Sequence, residues 1–289
     1  MSALRRAANL ARIASDMRSF RLLLRLLDDE APQAGGPRVS VRLRPLGGSS
    51  VVLRPGTSDA QVVWETFLGR YHRPPESARP TDRLIWDLGS NIGLTIADLA
   101  VRHPGARILG VEMDPQNAAL ARVNVAPWSD RCELLTGAVW THDGAIRYAG
   151  SCEQAFGFRV DVSAGAMTAE AISLDALLER GGGGEVDFVK MDIEGAEREV
   201  LRENTGWAEH VRCIKVEVHD PYDVAACIAD LERLGFHARR DERHWACAIG
   251  TRAELRPSAS RTRRRDGRPR RVPAGPTSRR PRPAGRQPS

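Results

Sequence analysis

The stretch Leu84–Thr95, LIWDLGSNIGLT, limits what this chain can fold into more than any other part of it. It sets an apolar run, an acid, a glycine-bearing turn and a helix start within a dozen residues. A strand that runs into a tight turn and then a helix is the opening unit of an α/β sheet that binds a nucleotide-like group. From Leu84 onward apolar runs alternate with helical patterns, which predicts a mostly parallel sheet. Strands are predicted near 84–88, 107–112, 132–136, 186–192 and 212–218, and helices near 93–102, 115–124, 196–203 and 222–234. GFHARRD and HWACAIGTR close the domain as an antiparallel pair. Between the third and fourth strands, Trp140–Gly184 reads as an insertion with strands at AIRYAG and FGFRVDV.

The glycine turn has a chemical preference. Gly89 and Gly93 do not complete Gly-x-Gly-x-x-Gly, and Asp87 stands where a pyrophosphate would approach. A carboxylate there repels phosphate and favours a cofactor carrying an ammonium and a sulfonium, which is S-adenosylmethionine rather than a nicotinamide dinucleotide. Glu112, at the end of the second strand in ILGVEMDP, has the spacing from Asp87 at which such folds present an acid to ribose hydroxyls. Ser90, Asn91 and Met113 adjoin these positions. The adenine is expected near Ala138 and Val139, where no acid stands and backbone groups must serve.

A second informative run is VDFVKMDIEGAEREVL. A parallel strand covered on both faces should be almost wholly apolar. Lys190 and Asp192 break that rule on one parity, which places them at the exposed carboxyl end, where ligands bind. The chain has only two lysines against 41 arginines, Lys190 and Lys215, so a compact ammonium is wanted at those positions. The fifth strand, IKVEVHDP, alternates Lys215, Glu217 and His219 with apolar residues. If it neighbours the fourth, Asp192, Glu194, Glu217 and His219 converge on one crevice, as general bases or as ligands of a hard divalent cation. Acid/base and positioning roles for Asp192, His219, Lys190 and Glu194, without a metal, are the expectation.

The ends of the chain differ from its middle. Residues 3–28 carry apolar positions at helical spacing and predict an amphipathic helix that packs on the domain or a partner, or lies on a membrane surface. VSVRLRPL and SSVVLRP predict a hairpin around Gly47-Gly48, and Thr57 or Ser58 should cap the helix that follows. The net charge of +6 is misleading, because Arg256–Ser289 alone carries +11 and leaves −5 on the remainder. That Arg/Pro-rich tail has almost no large apolar residue and is expected to be disordered, with at most non-specific affinity for nucleic acid. Five scattered cysteines without a Cys-x-x-Cys pair, no secretory pattern and no spanning segment predict a cytoplasmic protein. The expected divisions are 1–36 for the N-terminal helix, 37–80 for a strand/helix lead-in, 81–255 for the catalytic domain and 256–289 for the tail.

Together WDLGSNIGLT, GVEMDP, ISLDALL, VKMDIEGAEREVL and VEVH resemble the FkbM family of methyltransferases, over roughly residues 38–250. The Lys190–Glu197 run with Ser173–Asp175 is the specific part. The resemblance implies a Rossmann-like class I methyltransferase fold, a mostly parallel seven-stranded sheet with an antiparallel last strand. It also implies O-methylation of a sugar, glycan or polyketide-type natural product. Asp87, Gly89, Asn91, Gly93 and Glu112 would hold the cofactor, and Lys190, Asp192, Glu194 and Glu197 form the second signature. A nucleic-acid methyltransferase is the rival, but DIEG stands where amino-group methylation uses an Asn/Asp-Pro-Pro-aromatic turn. A binding protein that keeps the fold without turnover is the other alternative.

Overall fold

Asp16 divides the N-terminal amphipathic segment into two helices, α1 (Ala3–Ile13) and α2 (Met17–Leu26), where one was predicted. Its side chain accepts the Ser19 N–H at 2.8 Å and caps α2. The computed structural model describes residues 3–27, 36–76, 83–148 and 167–252; the Arg/Pro-rich tail and FGFRVDV lie outside them. Leu10, Ile13 and Leu23 face inward onto the hairpin of β1 (Val39–Arg42) and β2 (Ser50–Leu53), so the segment packs on the chain's own body. Gly47 and Gly48 make the turn at φ 64° and 83°. In the next helix, α3 (Asp59–Trp64), Ser58 takes the capping position without a side-chain bond, and the Thr57 hydroxyl accepts the Asp59 N–H instead. Asn124 ties this lead-in to the sheet by accepting the Val52 N–H at 2.7 Å and donating to the Ile92 carbonyl at 2.9 Å.

The main body follows the predicted alternation. In chain order it comprises β3 (Leu84–Leu88), α4 (Leu94–Arg102), β4 (Arg107–Glu112), α5 (Pro115–Val125), β5 (Cys132–Thr136), β6 (Ala138–Trp140), β7 (Gly144–Tyr148) and β8 (Met167–Ser173). Then come α6 (Leu174–Arg180), β9 (Phe188–Met191), α7 (Glu197–Val200), β10 (Cys213–Glu217), α8 (Val224–Arg233), β11 (His237–Arg240) and β12 (Cys247–Thr251). Seven strands form one sheet in the order β11-β12-β10-β9-β3-β4-β5, with β12 antiparallel to both neighbours and the rest parallel. Every residue of β3 is buried, because helices cover both faces. Leu84, Trp86 and Leu88 join the core on one side, with Leu177 and Leu231; Ile85 joins the other, with Ile96 and Leu99. The chain steps outward from β3 to β5 and then returns to β9 on the opposite side of β3. That reversal opens a crevice at the carboxyl ends of the strands.

Two further elements differ from expectation. The helix predicted over 196–203 is the single turn α7, because Asn204 takes the left-handed conformation at φ 48° and a 3₁₀ segment follows. In the insertion β7 forms at AIRYAG as expected, and the unanticipated β8 joins it and β6 in a separate three-stranded sheet; Ser173 caps α6 by accepting the Ala176 N–H at 3.1 Å. Among the described residues no helix is long and apolar enough to cross a membrane.

Candidate active site

The turn after β3 is clamped from both neighbouring strands. The N–H groups of Gly89 and Ser90 both donate to the Val111 carbonyl at 2.9 Å, and Lys190 from β9 donates to the Gly89 carbonyl at 2.6 Å. Asp87 lies beneath the turn, fully buried; it accepts the Thr95 hydroxyl and stands 3.5 Å from the Lys190 ammonium. Lys190 is therefore not at an exposed strand end. It is 3% exposed and lies between Asp87 and Asp192, the latter at 3.3 Å. Burial works against its charge, but the two carboxylates outweigh burial and raise its pKa, so the ammonium is kept.

A crevice of about 520 Å³ opens over this turn. Of the residues singled out from sequence, Gly89, Ser90, Asn91, Glu112, Met113, Ala138, Val139, Lys190, Asp192, Glu194, Glu217 and His219 line it. Asp87 and Gly93 do not. A Cβ on Gly93 would lie 2.9 Å from a Val125 methyl and 3.1 Å from the Ala121 Cα, so this glycine serves the packing of α4 on α5. Glu112 accepts the Asn91 N–H at 2.7 Å on one oxygen and the Asp114 N–H at 2.9 Å on the other. Burial nevertheless pushes its pKa up to about 7. The Glu112 carboxylate suits a pair of hydroxyls, and the walls at Met113, Ala138 and Val139 suit a flat base. This donor set fits the sugar and adenine of S-adenosylmethionine.

At the far side of Lys190, residues from β9, α7 and β10 converge as the register of the two strands requires. The His219 Nδ1 lies 2.9 Å from Glu197 Oε1, and its Nε2 lies 3.4 Å from Glu194 and 3.7 Å from Asp192. Glu197 is fully buried, and the same oxygen accepts the N–H groups of Ile193 and Gly195, so it orients the imidazole rigidly. Burial opposes the charge on His219, yet the Glu197 hydrogen bond and the surrounding carboxylates raise its pKa to about 9. Burial and the neighbouring Asp192 push Glu194 up to about 8, and Glu217 rises to about 7 for the same two reasons. Glu194 also holds φ 56°, a conformation uncommon outside glycine and concentrated at functional sites. The ligand atoms of Asp192, Glu194 and His219 all lie within 4.8 Å of one another, close enough for a cation to bridge them.

The lead-in and the β11–β12 turn supply a wall that sequence reasoning missed, including Gln61, Glu65, Tyr71, Arg243 and His244. Tyr71 is held there by its neighbours. His72 and Arg73 both bond the buried Asp98 of α4 at 2.9 Å. Burial of Asp98 is outweighed by these bonds, which keep its pKa well below the usual carboxylate range. No local motif marks Tyr71, because its place depends on a contact 26 positions away in sequence.

Residues 87–238 match the profile of the family described as the methyltransferase FkbM domain. The chain belongs to the FkbM methyltransferase family. The matched region is a methyltransferase domain. Hexuronic acid methyltransferase AglP of Haloferax volcanii is 30% identical over 159 residues, 52% of this chain and 62% of that protein. Methyltransferase sdnD of Sordaria araneosa is 28% identical, over 58% of this chain and 78% of the relative. A tRNA1(Val) (adenine(37)-N6)-methyltransferase of Porphyromonas gingivalis is 44% identical over 55 residues, 18% of this FkbM chain and 22% of the relative. The chain thus spans less than two thirds of the length of the Haloferax and Porphyromonas proteins.

Proposed function

We propose that this FkbM methyltransferase methylates a hydroxyl oxygen of a sugar, glycan or polyketide-type natural product. The observation that carries the reading is the Asp192–His219–Glu197 arrangement beside the glycine turn. An alcohol is a poor nucleophile while it keeps its proton, and this arrangement offers a carboxylate to take it. S-adenosylmethionine, when bound, supplies an electrophilic methyl group. Asp192 is the proton acceptor: its oxygens are flanked by Lys190 and His219, and it faces the crevice. With its pKa near 9, His219 is an imidazolium at neutral pH, so it positions Asp192 and Glu194 rather than acting as a free base. Glu194, raised to about 8 by burial and the neighbouring Asp192, stands 3.4 Å from the His219 Nε2, which holds it in place. Lys190 orients Asp192 and holds the Gly89 carbonyl, joining the two halves of the site. The name of the Haloferax relative supports a sugar-type acceptor.

The test is to supply methyl-labelled cofactor with a panel of hydroxyl-bearing sugars and natural-product alcohols and to read the product by NMR. Label in a methyl ether is expected; label confined to a methylamine or a methyl ester rules the reading out.

On this reading Glu112 binds the ribose hydroxyls. Glu112→Ala should weaken S-adenosylhomocysteine binding by about 1–3 kcal/mol, the usual cost of removing a charged hydrogen-bond partner. Calorimetry showing unchanged affinity would remove Glu112 from the cofactor site.

A further inference from the structure

Lys215, the second of the two lysines, has no part in the chemistry above. It lies on β10 two residues before Glu217, 2% exposed, and is ion-paired with the equally buried Asp241. Removing either partner of a buried ion pair leaves an uncompensated charge, so the two side chains hold each other in place. Here Asp241 accepts the Arg243 N–H with its other oxygen at 3.1 Å, and its own N–H donates to the Cys247 carbonyl at 2.9 Å. The turn between β11 and β12 is thereby pinned to β10. Arg243 and His244 of that turn line the crevice, and the His244 ring packs beside the Tyr71 ring at 5.8 Å between centroids. All three residues lie outside residues 87–238, the stretch matched by the family model. Arg243 is the one arginine lining the crevice among the described residues. Its ion pair with Glu76 spans 4.0 Å to a carboxylate 82% exposed, a contact that water screens.

We propose that Arg243 is the specificity-determining residue of the acceptor site and binds an anionic group, a carboxylate or a phosphate, carried by the sugar-type acceptor. This rests on the hydroxyl-methylation reading above. A guanidinium presents paired N–H donors that match either oxyanion, and the pinned turn presents them in one orientation. The crevice also holds the acids Glu65, Glu112, Asp192, Glu194 and Glu217, with Lys190 and His219 beside Asp192, so Arg243 is the cation on its outer wall. Asp241 and Lys215 act through the turn and are positioning residues.

Calorimetry on the S-adenosylhomocysteine complex, with methyl glucuronide, methyl glucoside and glucose 1-phosphate as probes, tests this without turnover. At least one anionic sugar should bind tenfold or more tighter than the neutral glucoside, and the two anionic probes separate carboxylate from phosphate. Arg243→Gln should collapse that ratio, and Arg243→Lys should restore part of it. Asp241→Asn should lower the same ratio, a change that mere loss of stability would not produce, since it would weaken all ligands alike. If Asp241→Asn fails to fold, the exposed Arg243 variants still decide. Equal binding of neutral and anionic sugars, absence of binding by both anionic probes, or a proportional loss of all three in Arg243→Gln overturns the proposal. Anion binding through Arg243 without methyl ether formation would instead remove the hydroxyl-methylation reading and leave this one standing.

Discussion

Gly89→Ala should weaken cofactor binding about a hundredfold and lower the melting temperature, although it adds one methyl group. Gly89 holds φ 78°, and a Cβ there would lie 1.7 Å from the Asp192 carbonyl oxygen and 2.9 Å from its carbon. The obstacle is backbone, so no side-chain rotation relieves it; the carboxyl ends of β3 and β9 must separate. Separation breaks the Lys190 bond to the Gly89 carbonyl and disturbs both N–H bonds to Val111. The left-handed backbone alone costs an L-residue about 1–2 kcal/mol, and the overlap adds the larger part. A total of about 3 kcal/mol corresponds to roughly a hundredfold in affinity and about 6–12 °C in melting temperature for a domain of this size. Gly183→Ala is the control, since Gly183 also has positive φ but meets nothing within 4 Å. If both variants bind S-adenosylhomocysteine like the wild type, close approach of β3 and β9 is not what the turn requires.

The same contact shows what was legible in the sequence and what was not. Apolar runs, glycine positions and the parity of Lys190 and Asp192 are local signals, and they suffice for the strand positions of the centre and for the inner residues of the crevice. The expectation that Asp87 faces the cofactor rested on sequence position alone. In the folded chain Asp87 is capped by Thr95 and faces Lys190 from below, so its charge organises the turn instead of lining the crevice. Sequence alone places Lys190 at an exposed end for a similar reason: burial of a lysine is costly without partners, and its partner on β3 is more than a hundred positions away. The outer wall was illegible because Tyr71 and Arg243 are placed by long-range pairs, His72 with Asp98 and Lys215 with Asp241. β8 escaped notice because MTAEAIS has few strong strand formers and takes its place from its neighbours in the small sheet.

Asp192→Asn should reduce turnover by roughly a hundredfold or more while leaving cofactor affinity nearly unchanged. The amide keeps the size of the side chain and one acceptor oxygen toward Lys190, which stands 3.3 Å away, but it cannot take a proton. The rival assignment makes His219 the base, and pH separates the two. His219 is raised to about 9, so at neutral pH it is protonated. If it must be neutral to act, wild-type turnover climbs with pH up to about 9. If it must be charged to hold Asp192 and Glu194 in place, turnover is lost as pH rises through about 9, and that decline is the expected profile. His219→Gln should then lower activity less than Asp192→Asn, because glutamine still donates to the carboxylates. Near-normal turnover in Asp192→Asn, together with loss in His219→Gln and a rising pH profile, would transfer the base to histidine. A strict requirement for a divalent cation, abolished by EDTA and restored by Mg²⁺, would instead make Asp192, Glu194 and His219 its ligands, the use that their mutual approach within 4.8 Å also permits.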